Sequence, residues 1–103
     1  ADMGSLVETA HVSRRFTSRY GEGALMHWRT SGGSEIDMVE VMRGDRLAAV
    51  EIKTRRGRLP PALGRFASLY DNTARLEIRL FELDAPETMT LNERPVYLDH
   101  VMA

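Results

Sequence analysis

Residues 35–53 read Glu-Ile-Asp-Met-Val-Glu-Val-Met-Arg-Gly-Asp-Arg-Leu-Ala-Ala-Val-Glu-Ile-Lys. Two apolar-rich runs flank Arg43-Gly44-Asp45, a turn-forming tripeptide. The pattern predicts strands over Glu35–Met42 and Leu47–Lys53. In the second run, period-two alternation puts Leu47, Ala49, Glu51 and Lys53 on one face and Ala48, Val50 and Ile52 on the other. A carboxylate and an ammonium therefore end an otherwise apolar strand. Asp37 is similarly embedded, between Ile36 and Met38. Charges in such settings are usually paired or bind a metal ion. If the strands form a hairpin, the loop decides whether the carboxylates meet. A two-residue Gly44-Asp45 loop opposes Asp37 to Ile52 and turns it from Glu51. A three-residue loop, Arg43-Gly44-Asp45, opposes Asp37 to Glu51, and a β-bulge beside Asp37 has the same effect.

Working outward, Ser31-Gly32-Gly33-Ser34 is a turn signal that separates a short strand over Ala24–Thr30 from the hairpin. Tyr20-Gly21-Glu22-Gly23 reads as a loop. Residues 4–16 read as a helix, with Ser5 and Glu8 in capping-box spacing and an imperfect apolar face of Leu6, Val7, Ala10, Val12 and Phe16. On the other side, Arg55-Arg56-Gly57-Arg58 is a basic loop. Pro60-Pro61 suits a helix start, and Leu63, Phe66, Ala67 and Tyr70 form a stripe along a helix over Ala62–Tyr70. Leu76, Ile78 and Leu80 alternate in a strand over Ala74–Leu83. Residues 84–95 are polar, contain Pro86 and Pro95, and read as a connection; Val96–Val101 reads as a last short strand or an edge segment. The first three strands can form an antiparallel meander, and the helical crossover brings the fourth in parallel.

The length of 103 residues fits one domain able to bury a core. With 14 lysine and arginine against 15 aspartate and glutamate, the net charge is −1, which excludes nucleic-acid binding by bulk positive charge but not a local basic site. The absence of cysteine excludes a disulfide framework, a thiol nucleophile and a cysteine-based zinc site. The expected setting is reducing and cytoplasmic. No apolar run approaches the roughly 20 residues that span a bilayer, so no membrane association is expected. The first residues lack the basic and apolar regions of a signal peptide. A start at Ala1 rather than methionine fits a piece of something larger.

An aspartate followed by Glu-x-Lys on the next strand resembles the PD-(D/E)xK nuclease superfamily. More narrowly, Trp28-Arg29-Thr30-Ser31-Gly32-Gly33-Ser34-Glu35-Ile36-Asp37 and Gly4-Ser5-Leu6-Val7-Glu8 resemble motifs of a C-terminal domain of unknown function carried by many bacterial and archaeal AAA-type ATPases. The resemblance covers about residues 4–83. It implies an α/β fold: a restriction-endonuclease-like core, a mixed β-sheet flanked by helices in the order α-β-β-β-α-β. It implies a single nuclease-like domain over residues 1–103, attached to an ATPase and hydrolysing DNA. Asp37 and Glu51 would bind Mg²⁺ or Mn²⁺, with the backbone carbonyl of Ile52 completing the protein ligands. Lys53 would position or activate water or stabilise charge on the phosphate, and Glu8 would be an extra acidic residue. Arg55, Arg56 and Arg58 would hold the phosphate backbone of DNA. Many nucleases of this type cut two strands as dimers, though no interface is named by the sequence. Two departures stand out: a polar run after Glu8, and no phosphate-binding G-x-x-x-x-G-K-[S/T] loop, so the chain is not itself the ATPase.

Plainer readings accompany these. Glu8 fits a helix-capping partner of Ser5. Glu51 and Lys53 fit an exposed same-face pair at a sheet edge. The arginines fit a solvated turn, Trp28 a core anchor, and His11, His27 and His100 structural or exposed positions. A nuclease fold serving only as an interaction module for the ATPase is the alternative function; an apolar patch exposed around Val96–Met102 would mark it. Asp37 and Glu51 on opposite faces would instead mark a small domain whose carboxylates are incidental.

Overall fold

The structure, a computed structural model, describes the backbone of residues 3–8 and residues 22–103. Its strands are β1 (Met3–Glu8), β2 (Leu25–Thr30), β3 (Glu35–Met42), β4 (Arg46–Arg55), β5 (Thr73–Glu82), β6 (Glu87–Leu91) and β7 (Arg94–His100). One helix, α1 (Pro61–Leu69), lies between β4 and β5. The strands form one mixed sheet in the order β1-β2-β3-β4-β5-β7-β6. β2, β3 and β4 make the antiparallel meander, and α1 carries the chain over to β5, which runs parallel to β4. β7 enters parallel to β5, and β6 lies antiparallel outside it as an edge.

α1 forms where the stripe predicts. Proline opens it at a position that needs no intrahelical N–H bond. Leu63 and Phe66 are its buried residues. It stops at Tyr70, whose backbone is extended, and Thr73 Oγ1 donates to the Tyr70 carbonyl at 2.7 Å. The helix packs against β3, β4 and β5. Beneath it lies an aromatic group: the Trp28 ring meets Phe66 edge-on at 5.3 Å between centroids, and Trp28 Nε1 donates to the Tyr70 hydroxyl at 3.2 Å. Trp28 has no exposed surface, so it is the core anchor its position on a strand predicts. Its one polar atom needs that partner, since a buried unpaired donor is costly.

Three expectations need correction. The α/β, restriction-endonuclease-like arrangement with helices flanking the sheet is not what forms: among the described residues there is one short helix against seven strands. Residues 4–8 of the expected first helix belong to β1, paired in parallel with β2 from Met3↔Leu25 to Glu8↔Thr30. A glycine disfavours helix there, and the strand ladder satisfies the backbone that a capping box would have served. Ser5 and Glu8 are therefore not helix-capping partners; the rest of that expected helix, residues 9–16, lies outside the described residues. Residues 84–95 are not merely a connection, because β6 and β7 form a hairpin closed by Leu91↔Arg94. Its turn residues Asn92 and Glu93 both adopt positive φ, 50° and 66°. That is the backbone of a two-residue turn whose twist suits the strands, in which glycine usually takes the place Glu93 holds here.

Candidate functional site

The β3–β4 hairpin closes at Met42↔Arg46, leaving Arg43, Gly44 and Asp45 as a three-residue loop. Gly44 and Asp45 take positive φ, 74° and 58°, a conformation that glycine and aspartate tolerate best. This odd loop sets the register in which Asp37 lies across from Glu51. A second device acts at the same place. β2 pairs Met26 with Val39 and Trp28 with Ile36, so Asp37 and Met38 together face His27. Such an extra residue bends a strand and re-aims a side chain. It also brings Ile36 onto the buried side with Val39 and Val41, while Asp37 stays exposed.

Beyond Met38↔Val50 the backbone pairing of β3 and β4 stops, and carboxylates take over. Glu51 Oε1 accepts the Asp37 backbone N–H at 2.9 Å. Asp37 Oδ2 accepts the Ile52 backbone N–H at 2.8 Å. Each side chain thus occupies one oxygen in holding the opposite strand. Asp37 Oδ1 and Glu51 Oε2 have no protein donor among the described residues.

Glu51 is 7% exposed, and it sits on the central strand rather than at a sheet edge. Burial pushes its carboxyl above the ordinary 4.5; the hydrogen bond from Asp37 and the charge of Lys53 oppose the rise, and the charges of Asp37 and Glu35 add to it. Lys53, exposed, makes no ion pair with any described residue. Around them are hard oxygen donors, two carboxylates and a backbone carbonyl at Ile52, which fit Mg²⁺ or Mn²⁺, ions that need few protein ligands and keep several waters. Among the described residues no group of three or more histidine, cysteine, aspartate or glutamate side chains could hold a metal, so any site here is of the two-carboxylate kind. Glu8 ends β1, paired with Thr30, and its side chain is outside the described part.

Next to Lys53 the chain bends into the basic loop. Lys53, Arg55, Arg56 and Arg58 rim a cavity of about 220 Å³. Its floor is apolar, formed by Ile78, Leu80 and Leu98 with Met89 from β6. Two rim arginines are tethered: Arg55 lies 3.7 Å from Glu82 and Arg56 lies 3.2 Å from Glu87. Arg58 has no ion-pair partner among the described residues. The strand register joins the cavity to the carboxylates, since Glu51 pairs with Ile78 and Lys53 with Leu80. The sequence pattern points to the rim but misses Met89, because its strand was hidden in a stretch of polar residues and prolines.

The family model for the Domain of unknown function (DUF4143) matches residues 3–98. The chain belongs to that family. Comparison with curated proteins and with solved structures finds no match. No helix of the described residues is long and apolar enough to cross a membrane.

Proposed function

We propose that this domain carries a divalent-metal site that hydrolyses DNA phosphodiester bonds, joined in its parent protein to an AAA-type ATPase. The observation that supports it best is the crossed pair of hydrogen bonds that links Asp37 and Glu51 across β3 and β4, with Asp37 Oδ1 and Glu51 Oε2 left without a protein donor among the described residues. Asp37, Glu51 and the Ile52 carbonyl would hold Mg²⁺ or Mn²⁺, and the likeness to the PD-(D/E)xK pattern rests on these residues and Lys53. When bound, such an ion supplies an activated water and stabilises charge on the phosphate. Lys53, two residues beyond Glu51 on the same strand, offers an ammonium to orient that water or the phosphate. The rim arginines offer guanidinium groups to the neighbouring phosphates, a contact that positions a strand without reading its sequence. The test is incubation of the full chain and its parent with DNA in several forms, with Mn²⁺ or with chelator. The expected result is cleavage that needs the ion and is lost in Asp37→Asn and Lys53→Ala. No ion binding and no cleavage of any form would refute it.

A second reading has its own observation. The same two hydrogen bonds give the carboxylates a purely structural task, clamping β3 to β4 where their ladder ends. The domain would then be an inactive module that mediates protein or DNA contacts for the ATPase. The exposed patch expected for it at the C-terminal segment is small: Val96 and Leu98 are buried at 0% and 2%, and Met102 is the large apolar side chain exposed there. Under this reading Asp37→Asn, whose amide oxygen still accepts from Ile52, leaves the parent's biological activity intact.

A further inference from the structure

We infer that the cavity beside Lys53 receives a single unpaired nucleotide of a DNA strand, so that the preferred substrate is a single-stranded region or a frayed end rather than an intact duplex. The inference rests on the phosphodiester reading above and deepens it by naming the form of the substrate. Its first support is the combination of surfaces. A ligand that is only phosphate has no use for an apolar lining, which here is half-buried Met89 over the edges of the core residues Ile78, Leu80 and Leu98. A neutral apolar ligand has no use for a rim of Lys53, Arg55, Arg56 and Arg58. A nucleotide has both parts: a flat ring with apolar faces, and a phosphate.

The second support is size. About 220 Å³ is below the roughly 300–1,000 Å³ typical of pockets for drug-sized ligands. It suits one ring and not a stacked pair. A base inside a duplex cannot enter, because it must first leave its stack and its partner. The third support is the division of the rim. Glu82 and Glu87 tether Arg55 and Arg56, whereas Lys53 and Arg58 keep their charge for an incoming anion. Lys53 also belongs to the strand end that holds Glu51, so a base seated on the floor brings its own phosphate toward the carboxylates. Several cations along residues 53–58 fit successive phosphates of a strand better than one free nucleotide.

The test is binding of the full chain, measured by fluorescence anisotropy in chelator, so that neither metal nor hydrolysis enters. The probes are a short oligothymidine, an abasic strand of equal length and charge, and a duplex of equal length. Unlabelled thymidine monophosphate serves as competitor. The expected result is that oligothymidine binds about tenfold tighter than the abasic strand, the scale set by burying one apolar group. The duplex binds no better than the abasic strand, and the monophosphate competes weakly. Met89→Trp, at a half-buried site on the edge strand, fills the cavity and abolishes the difference while leaving the rim charge intact. Equal binding of normal and abasic strands overturns the inference, as does absence of binding. Monophosphate competing as well as the strand overturns its strand assignment. Base-dependent binding without metal-dependent cleavage refutes the nuclease reading and keeps the pocket. Cleavage lost in Asp37→Asn, with no base-dependent binding, keeps the nuclease reading and refutes the pocket.

Discussion

The two ends of β4 are built on different principles. From Leu47 to Val50 every side chain is buried, and backbone pairs with β3 hold the strand up to Met38↔Val50. From Glu51 onward the ladder to β3 is gone, and the carboxylates of Glu51 and Asp37 do what backbone carbonyls did one rung earlier. The first half is stabilised by its backbone ladder and by area removed from water, a contribution that volume-conserving apolar swaps largely keep. The second half depends on two specific side chains at two specific distances. A strand that exchanges its ladder for carboxylates gains a place where charge collects beside the end of the core, at the expense of backbone hydrogen bonds.

Breaking the apolar core to which the first half of β4 contributes Leu47 and Ala49 should have the largest effect. Trp28→Ala empties the space beneath α1 and removes the edge contact with Phe66 and the bond to Tyr70. A loss of about 3–5 kcal/mol is expected, measured by urea denaturation. Breaking the carboxylate half should cost less. Asp37→Ala leaves the Ile52 N–H to water, and about 1 kcal/mol is expected at this exposed position. If Asp37→Ala cost as much as Trp28→Ala, the division between the two halves would be wrong.

The pH dependence sharpens the same contrast. Burial raises the Glu51 carboxyl above 4.5, so the folded chain holds that proton more tightly than the unfolded chain. Its contribution therefore makes folding less favourable as pH rises from about 4.5 through the raised value, and the loss is complete above it. Glu51→Gln should flatten this part of the profile of midpoint temperature against pH. A profile unchanged by the substitution would mean Glu51 ionises as it does in the unfolded chain.

The smallest expected effect lies away from both halves, at the β6–β7 turn. Glu93→Gly relieves a positive φ of 66° and should stabilise by about 0.5 kcal/mol in the same denaturation experiment, leaving metal binding unchanged. That substitution is the control for effects that merely follow stability.

These residues also show what can be read from the chain. The strands of the meander, α1 and β5 carry strong signals: alternation at Leu76, Ile78 and Leu80, a helical stripe at Leu63 and Phe66, and glycine turns between them. The meeting of Asp37 and Glu51 was legible as a condition on loop length, and the three-residue loop meets it. The first strand was not legible, because six residues with a serine and a glutamate in capping spacing mimic a helix start. β6 was hidden for another reason. Its turn is Asn92-Glu93 rather than asparagine–glycine, and alternating threonines dilute its apolar face. The cavity could not be read at all, since its floor comes from β5, β6 and β7, brought together only by the sheet order.

The central claim is that Asp37 and Glu51 form one divalent-metal site. Titration calorimetry of Mn²⁺ into the full chain, with Asp37→Asn in parallel, addresses it most directly. The variant keeps an oxygen to accept from Ile52, so its unfolding midpoint should stay close to that of the native chain. The account predicts one Mn²⁺ bound per native chain and none by the variant. Equal binding by both, or none by either, would contradict it.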